Sequence, residues 1–143
     1  MKIALYQGPP TDGDIERTLS RINSQLHAAA TAGATMVVFP ELFLPGYNRP
    51  DLHPRLAQTQ GGAWIEHLSS MAINAKCGLT IGWAERDGDG QNEDDDANSD
   101  DHHGNTIYNA ATCIDANGKM IGHYRKIQLF GPMENQSFCP GTD

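Results

Sequence analysis

The chain has 143 residues, of which 38% are hydrophobic, and a formal net charge of -8. This length and composition allow one domain with its own core, so we predict a single α/β unit over residues 1–143. The acidic balance offers no basic surface for nucleic acid, the first residues turn polar too early for a signal peptide, and no apolar run is long enough to span a membrane, so we predict a cytoplasmic protein.

The first part of the chain predicts a strand, a helix and a second strand. Residues 2–7 predict the first strand. The helix is indicated by apolar residues that recur every three or four positions, namely Ile15, Leu19, Ile22, Leu26 and Ala29. Asp12 or Asp14 can cap its start, and Gly33 suits a left-handed end. The apolar run 36–39 predicts a buried second strand, and this order favours parallel pairing.

Glu41 follows that second strand closely, because Pro40 has no N–H for a strand ladder and ends it. In open α/β sheets, ligands bind beyond the carboxyl ends of the strands. A carboxylate at this edge, beside a dry apolar strand, is a candidate general base. The alternative is a surface glutamate that opens the loop predicted over residues 45–54.

A second helix and a third strand are predicted next. The helix runs from about Ala63 to Cys77, with Gly78 as its stop, and residues 79–85 form the strand. Trp64 and Met71 share the apolar face of the helix. Helical spacing explains both side chains, so we assign them to the core rather than to a cofactor site.

The segment from Arg86 to Gly104 contains one arginine and eight carboxylates, and so carries all but one unit of the net charge. It has too few apolar residues to order itself, which predicts a mobile surface insertion. Its acids do not have the spacing of a calcium loop, because the sixth position from Asp87 is Asn92 instead of glycine. His102 and His103 lack a third fixed ligand, so we predict no metal site.

Residues 106–115 and 119–129 predict a β-hairpin around Asn117 and Gly118, a pair that supplies the positive φ angles of a tight turn. The second strand of this hairpin is predicted to run through Lys126. A lysine within a half-apolar strand is a candidate for stabilising a developing oxyanion. The alternative is a lysine at a strand edge that extends its charge to solvent.

Several of these stretches resemble, in order, the nitrilase superfamily of carbon–nitrogen hydrolases. They are Phe39-Pro40-Glu41, Gly46-Tyr47, Tyr108-Asn109, Tyr124-Arg125-Lys126 and Leu129-Phe130-Gly131. Within that superfamily the chain is similar to amidases of small aliphatic amides, such as 5-aminopentanamidase. The resemblance implies that residues 1–143 are the N-terminal half of a four-layer α-β-β-α sandwich, as part of one carbon–nitrogen hydrolase domain.

The resemblance also implies an activity and its residues. Such enzymes hydrolyse a small amide to a carboxylate and ammonia with a Glu–Lys–Cys triad and a thioester intermediate, without cofactor or metal. Glu41 would be the general base and Lys126 the cation that stabilises the tetrahedral intermediate. Glu134 and Tyr47 would contact the substrate. Family members commonly form homo-oligomers, which we expect of the full-length form.

The nucleophilic cysteine of the resemblance falls beyond Asp143. Cys77, Cys113 and Cys139 are widely spaced and do not match its setting, so we interpret them as free thiols. We therefore expect the 143-residue chain alone to be an inactive fragment. Two alternatives stay open: a non-catalytic homologue that binds a small ligand or assembles with other subunits, and an acidic-loop metal-binding module.

Overall fold

The computed structural model describes residues 1–9, 12–88 and 106–142. These ranges contain five strands and four helices. In chain order they are β1 (Ile3–Leu5), α1 (Ile15–Thr31), β2 (Met36–Val38), α2 (His53–Leu56), α3 (Ala63–Ala75), β3 (Gly78–Arg86), β4 (Ile107–Ile114), β5 (Met120–Arg125) and α4 (Gly131–Ser137).

The five described strands form a mixed sheet in the order β1-β2-β3-β4-β5. β1, β2 and β3 pair in parallel, whereas β3, β4 and β5 pair antiparallel. The predicted strand–helix–strand unit is therefore confirmed, because β1 and β2 are parallel neighbours connected through α1.

Helix α1 begins and ends where the sequence predicts. Of the two candidate caps, Asp14 is the N-cap, and its Oδ1 accepts a hydrogen bond from the Arg17 backbone N–H at 3.0 Å. Gly33 follows the helix with a φ of +82°, a conformation that costs glycine little because it has no Cβ.

Two details of the next segment differ from the prediction. Helix α3 is ended by Lys76, which adopts a left-handed φ of 54°, while Gly78 is already the first residue of β3. Gly78 has no side chain, which leaves room for the Ile114 carbonyl oxygen. A Cβ on Gly78 would lie only 2.7 Å from that oxygen. The predicted loop over 45–54 also includes the start of α2 at His53, whose short length gives no clear periodicity.

The predicted insertion at 86–104 begins later than expected. Arg86 is the last residue of β3, and the Asp87 backbone N–H still donates to the Thr106 carbonyl oxygen at 3.0 Å. Residues 89–105, including His102 and His103, lie outside the described part of the chain.

The hairpin is confirmed, but with a different turn and a shorter second strand. In the turn only Gly118 has a positive φ, of 77°, while Asp115 Oδ1 accepts from the N–H groups of Asn117 and Lys119. β5 ends at Arg125, so the prediction that the strand continues through Lys126 is wrong. Lys126 instead opens the segment between β5 and α4.

The helices α1 and α3 pack on one face of the sheet and form the main core with it. That core includes Ile22, Leu26, Leu68 and Ala72 from the helices and Val37, Leu79, Ile81 and Trp83 from the strands. Side chains on the other face of the sheet are more exposed, as with Leu5 (78%) and Tyr124 (52%). The predicted α/β class is confirmed, with one helical layer on one side of a sheet.

Candidate active site

Glu41 lies just beyond β2, where the main chain still pairs with β3. The Phe39 N–H donates to the Thr80 carbonyl oxygen at 2.8 Å, and the Gly82 N–H donates to the Pro40 carbonyl oxygen at 3.1 Å. A Cβ on Gly82 would lie 2.5 Å from the Glu41 Cα. The absence of a side chain at Gly82 therefore lets the Glu41 backbone pass directly over the sheet.

Lys126 is fixed by its main chain on both sides. Its N–H donates to the Asn109 carbonyl oxygen of β4 at 2.8 Å, and its own carbonyl oxygen accepts from the Gly141 N–H at 2.9 Å. The Lys126 backbone is thus held although β5 has ended. The long, flexible Lys126 side chain therefore extends from a fixed backbone position.

The Lys126 ammonium group lies between two carboxylates. Nζ is 2.6 Å from Glu41 Oε1 and 3.0 Å from both Oε1 and Oε2 of Glu134. Residues 85 positions apart in sequence therefore meet in one ion pair, and Glu134 joins it from α4. The structure brings together both residues that the sequence predicts as catalytic.

Glu134 is fully buried and each of its oxygens has fixed partners. Tyr47 donates its hydroxyl to Oε1 at 2.8 Å, and the Phe130 backbone N–H donates to Oε2 at 2.8 Å. Burial opposes the charge, but the Phe130 N–H, Lys126 and Tyr47 outweigh it and hold the pKa of Glu134 below its usual value. Glu134 is a carboxylate that holds Lys126.

The protonation states of Lys126 and Tyr47 follow from the same contacts. Burial tends to lower the pKa of Lys126, but hydrogen bonds to Glu41 and Glu134 outweigh this and raise it, which keeps the ammonium charged. The hydrogen bond to Glu134, together with burial, raises the pKa of Tyr47, so its hydroxyl stays protonated and donates.

The surroundings of Glu41 differ from the prediction of a dry strand edge. Its side chain is 45% exposed, while that of Lys126 is 25% exposed. Both border a cavity of about 450 Å³ on the face of the sheet opposite α1 and α3, together with Thr80, Tyr124 and Gln128. Glu41 is therefore open to a ligand-sized space.

The sequence prediction assigned no role to Asn109, which the structure places at this site. Asn109 is 3% exposed, and its Nδ2 donates to Glu41 Oε1 at 2.7 Å. A signal was present in the sequence, because Asn109 is a polar residue between the apolar positions of a predicted strand. Buried polar groups need partners, and here the partner comes from a distant segment.

The three cysteines lie elsewhere. Cys77 is fully buried, and burial raises the pKa of its thiol. Cys113 and Cys139 are partly buried and exposed, respectively, and neither lines the cavity beside Glu41 and Lys126. Within the described ranges, no thiol occupies the position of a nucleophile at this site.

A second charged cluster surrounds Glu85, which is 1% exposed. Arg125 donates to its Oε1 at 2.6 Å, Gln60 donates to the same atom at 3.1 Å, and His123 Nε2 lies 2.9 Å from Oε2. Burial opposes the charge of Glu85, but hydrogen bonds from His123, Arg125 and Gln60 outweigh this and lower its pKa. Arg125 also pairs with Asp87 at 3.0 Å.

Among the residues that the structure describes, no group of three or more His, Cys, Asp or Glu side chains could hold a metal ion. No described helix is long and apolar enough to cross a membrane. His102 and His103, the weak metal candidates, belong to the segment that is not described.

The sequence matches known proteins along almost its whole length. The family model described as Carbon-nitrogen hydrolase matches residues 2–142. A hydrolase encoded in the 5' region of pqqF of Pseudomonas protegens is 35% identical over all of this chain, which covers 45% of that protein. A nitrilase of Pyrococcus abyssi is 29% identical over 91% of this chain, equal to 44% of its own length.

Solved structures give the same result. A variant of the amidase from Nesterenkonia sp. AN1, solved in complex with butyramide, superposes with a TM-score of 0.82 at 25% identity. The match covers 100% of this chain and 49% of the amidase. The chain thus spans about half the length of the relatives it matches.

Proposed function

This chain belongs to the carbon–nitrogen hydrolase family, and from that premise we propose that it supplies the general base and the cationic stabiliser of an amidase. The observation that carries the proposal is the Lys126 ammonium held 2.6 Å from a half-exposed Glu41 beside a cavity of about 450 Å³. An exposed ion pair contributes little to the stability of a fold, so stability alone does not explain an ion pair that borders this cavity.

The proposed substrate is a small aliphatic amide. The amidase from Nesterenkonia sp. AN1 binds butyramide, and the cavity beside Glu41 and Lys126 has the volume of a small-molecule pocket. The chemistry needs no cofactor, because acid–base groups and a thiol suffice for acyl transfer. Glu134 is proposed to position the substrate through Lys126, because Glu134 itself is fully buried, and Tyr47 is proposed to support Glu134 through its hydroxyl.

In the proposed reaction, Glu41 removes the proton of a cysteine thiol, and the thiolate sulfur forms a bond with the amide carbon. Lys126 stabilises the negative oxygen of the tetrahedral intermediate. The carbon–nitrogen bond then breaks, and ammonia leaves with the proton returned from Glu41. Water, deprotonated by Glu41, attacks the thioester and releases the carboxylic acid and the thiol.

The nucleophile is proposed to lie beyond residue 143 in the full-length protein. This proposal is supported by the positions of Cys77, Cys113 and Cys139 away from the cavity, and by the length of the relatives. Residues 1–143 alone are then inactive. We further propose that the full-length protein is a cytoplasmic homo-oligomer.

The test measures ammonia release from butyramide by the full-length protein that carries this chain. We expect Glu41→Gln and Lys126→Met each to lower kcat/KM by about 10²–10⁴-fold. The matched controls are Glu66→Gln and Lys119→Met, which change exposed residues far from the cavity and should leave kcat/KM unchanged.

Mass spectrometry of the protein quenched during turnover identifies the nucleophile. An acyl adduct on a cysteine after residue 143 supports the proposal. An adduct on Cys77, Cys113 or Cys139, or ammonia release by residues 1–143 alone, contradicts it. A full-length protein that binds butyramide without hydrolysing it would instead be a ligand-binding homologue.

A further inference from the structure

We propose that Asn109 is a positioning residue that selects which oxygen of Glu41 accepts the proton. Its Nδ2 and the Lys126 ammonium both donate to Oε1 of Glu41, at 2.7 and 2.6 Å. Within the described ranges, no hydrogen bond reaches Oε2. The inference rests on the proposed function, since it assigns Oε2 as the basic atom of that reaction.

Asn109 holds both reacting groups at once. Its side chain donates to Glu41, and its backbone carbonyl oxygen accepts from the Lys126 N–H at 2.8 Å. Glu41 and Lys126 both lie in irregular segments, just after β2 and β5. Asn109 lies within β4, paired with Ala84 of β3. A residue anchored in the sheet therefore fixes the separation between two groups that are not themselves in strands.

The orientation of the Asn109 amide follows from the chemistry of its partner. An ionised carboxylate can only accept hydrogen bonds, so the amide nitrogen and not the oxygen must face Glu41. With Asn109 3% exposed, water has little access to replace this donor. Two donors on Oε1 occupy its lone pairs, and Oε2 keeps its lone pairs free for a thiol or water proton.

Lys126 alone would not make this selection. Its ammonium has three donors on a flexible chain and also binds Glu134, so it can contact either Glu41 oxygen by a small rotation. The Asn109 amide is planar and its backbone is fixed in a strand. Without it, the Glu41 carboxylate can turn until both of its oxygens face Lys126, which leaves no oxygen aimed at the thiol or water proton.

The experiment compares Asn109→Ala and Asn109→Leu in the full-length protein, with butyramide as substrate. Leucine keeps the branching of asparagine at Cγ and has no donor, so it guards against the cavity that the alanine variant leaves. We expect kcat to fall by about 10²-fold in both, as for a misplaced catalytic group, with KM changed only a few-fold.

Thr112→Val is the matched control. Thr112 is a buried polar residue of the same strand at 1% exposure, and its hydroxyl accepts from Trp83 Nε1 at 2.8 Å. We expect this variant to lose a similar amount of thermal stability while keeping wild-type kcat. An Asn109 variant that keeps wild-type kcat, or a Thr112→Val loss of kcat as large as theirs, overturns the inference.

A second measurement does not depend on turnover. In protein labelled with ¹⁵N-asparagine, the side-chain amide signal that disappears in Asn109→Ala belongs to Asn109. We expect that signal to move in Glu41→Gln and to stay in place in Glu66→Gln. An unchanged signal overturns the Asn109–Glu41 contact even if the enzyme is active. A wild-type protein that hydrolyses no amide is a different result, because it overturns the proposed function and the inference with it.

Discussion

Arg125 and Lys126 are neighbours in sequence, yet their charges lie on opposite faces of the sheet in two clusters of similar composition. Arg125 binds Glu85, which is 1% exposed and has partners on both oxygens. Lys126 binds Glu41, whose side chain is 45% exposed and whose Oε1 accepts two hydrogen bonds, from Lys126 and Asn109. We call these the Glu85 cluster and the Glu41 cluster.

The two clusters differ in how fully their central carboxylates are enclosed. In the Glu85 cluster, Arg125 and Gln60 donate to Oε1 and His123 Nε2 lies 2.9 Å from Oε2, so both oxygens of the buried carboxylate face a neighbouring side chain. In the Glu41 cluster, Glu134 is the carboxylate whose two oxygens both accept hydrogen bonds. Glu41 accepts only through Oε1 among the described residues, and it borders a cavity. Incomplete hydrogen bonding at a half-exposed carboxylate therefore marks the candidate base.

The largest effect in this comparison is expected from Glu134→Gln, which removes the charge of one of the two carboxylates that share Lys126. Lys126 would then pair with Glu41 alone and mask the base. We expect kcat/KM for butyramide to fall by about 10²–10³-fold. The matched variant in the other cluster, Glu85→Gln, should change kcat/KM only a few-fold. Equal losses in both variants would mean that the two clusters act as one unit and that the comparison is wrong.

Gly82→Ala should damage the Glu41 cluster through the backbone. A Cβ at this position would lie 2.5 Å from both the Glu41 Cα and the Leu42 nitrogen, so the Glu41 segment must move. We expect a fall in kcat/KM of about 10²-fold. Gly122→Ala is the control on the same face, since its Cβ would meet Cys113 at an ordinary 3.4 Å. Full activity in Gly82→Ala would show that the position of Glu41 is not critical.

Glu85→Gln should act on stability, and its effect should depend on pH. The folded-state pKa of Glu85 lies below its usual value of 4.5, so its charge stabilises the fold above that pH and this contribution is lost as the pH falls through the folded pKa. We expect a loss of about 2 kcal/mol at neutral pH, because Arg125 and His123 lose their anion. Urea unfolding checks this value.

The same unfolding experiment, repeated at acidic pH, tests the cause. The difference between wild type and Glu85→Gln should shrink below pH 4.5, where the wild-type carboxylate takes up a proton. Glu66→Gln, which changes an exposed carboxylate, should follow the wild type at every pH. A gap that stays constant into acid would mean that Glu85 stabilises by packing rather than by charge.

The sequence predicted much of the frame of the Glu41 cluster. Pro40 marked the end of a strand, which placed Glu41 at a sheet edge, and the hairpin around Gly118 placed Lys126 within its second strand, one residue past the end that the structure shows. These features depend on local rules, namely the missing N–H of proline and the positive φ of glycine. Local rules therefore singled out both residues, whereas their ion pair was found only in the structure.

Long-range contacts could not be predicted in this way. Acidic side chains are rarely buried, so nothing in the local sequence indicated that Glu134 is fully enclosed by Tyr47, Phe130 and Lys126. The role of Asn109 depends on a partner 68 positions away. The left-handed Lys76 escaped prediction because non-glycine residues seldom adopt positive φ. The features that distinguish the two clusters therefore depend on tertiary contacts.

The smallest effect is expected from Tyr47→Phe, which removes one of the hydrogen bonds that keep Glu134 charged. Glu134 retains Lys126 and the Phe130 N–H, so we expect a loss of about 1 kcal/mol in stability and a fall in kcat/KM of about tenfold or less. The raised pKa of Tyr47 keeps its hydroxyl protonated, so the stability gap should persist up to its usual value of 10.0 and close only above it. Tyr6→Phe, away from the cavity, is the control. A large rise in KM at unchanged kcat would show that Tyr47 contacts the substrate itself, as the family resemblance implies, instead of acting through Glu134.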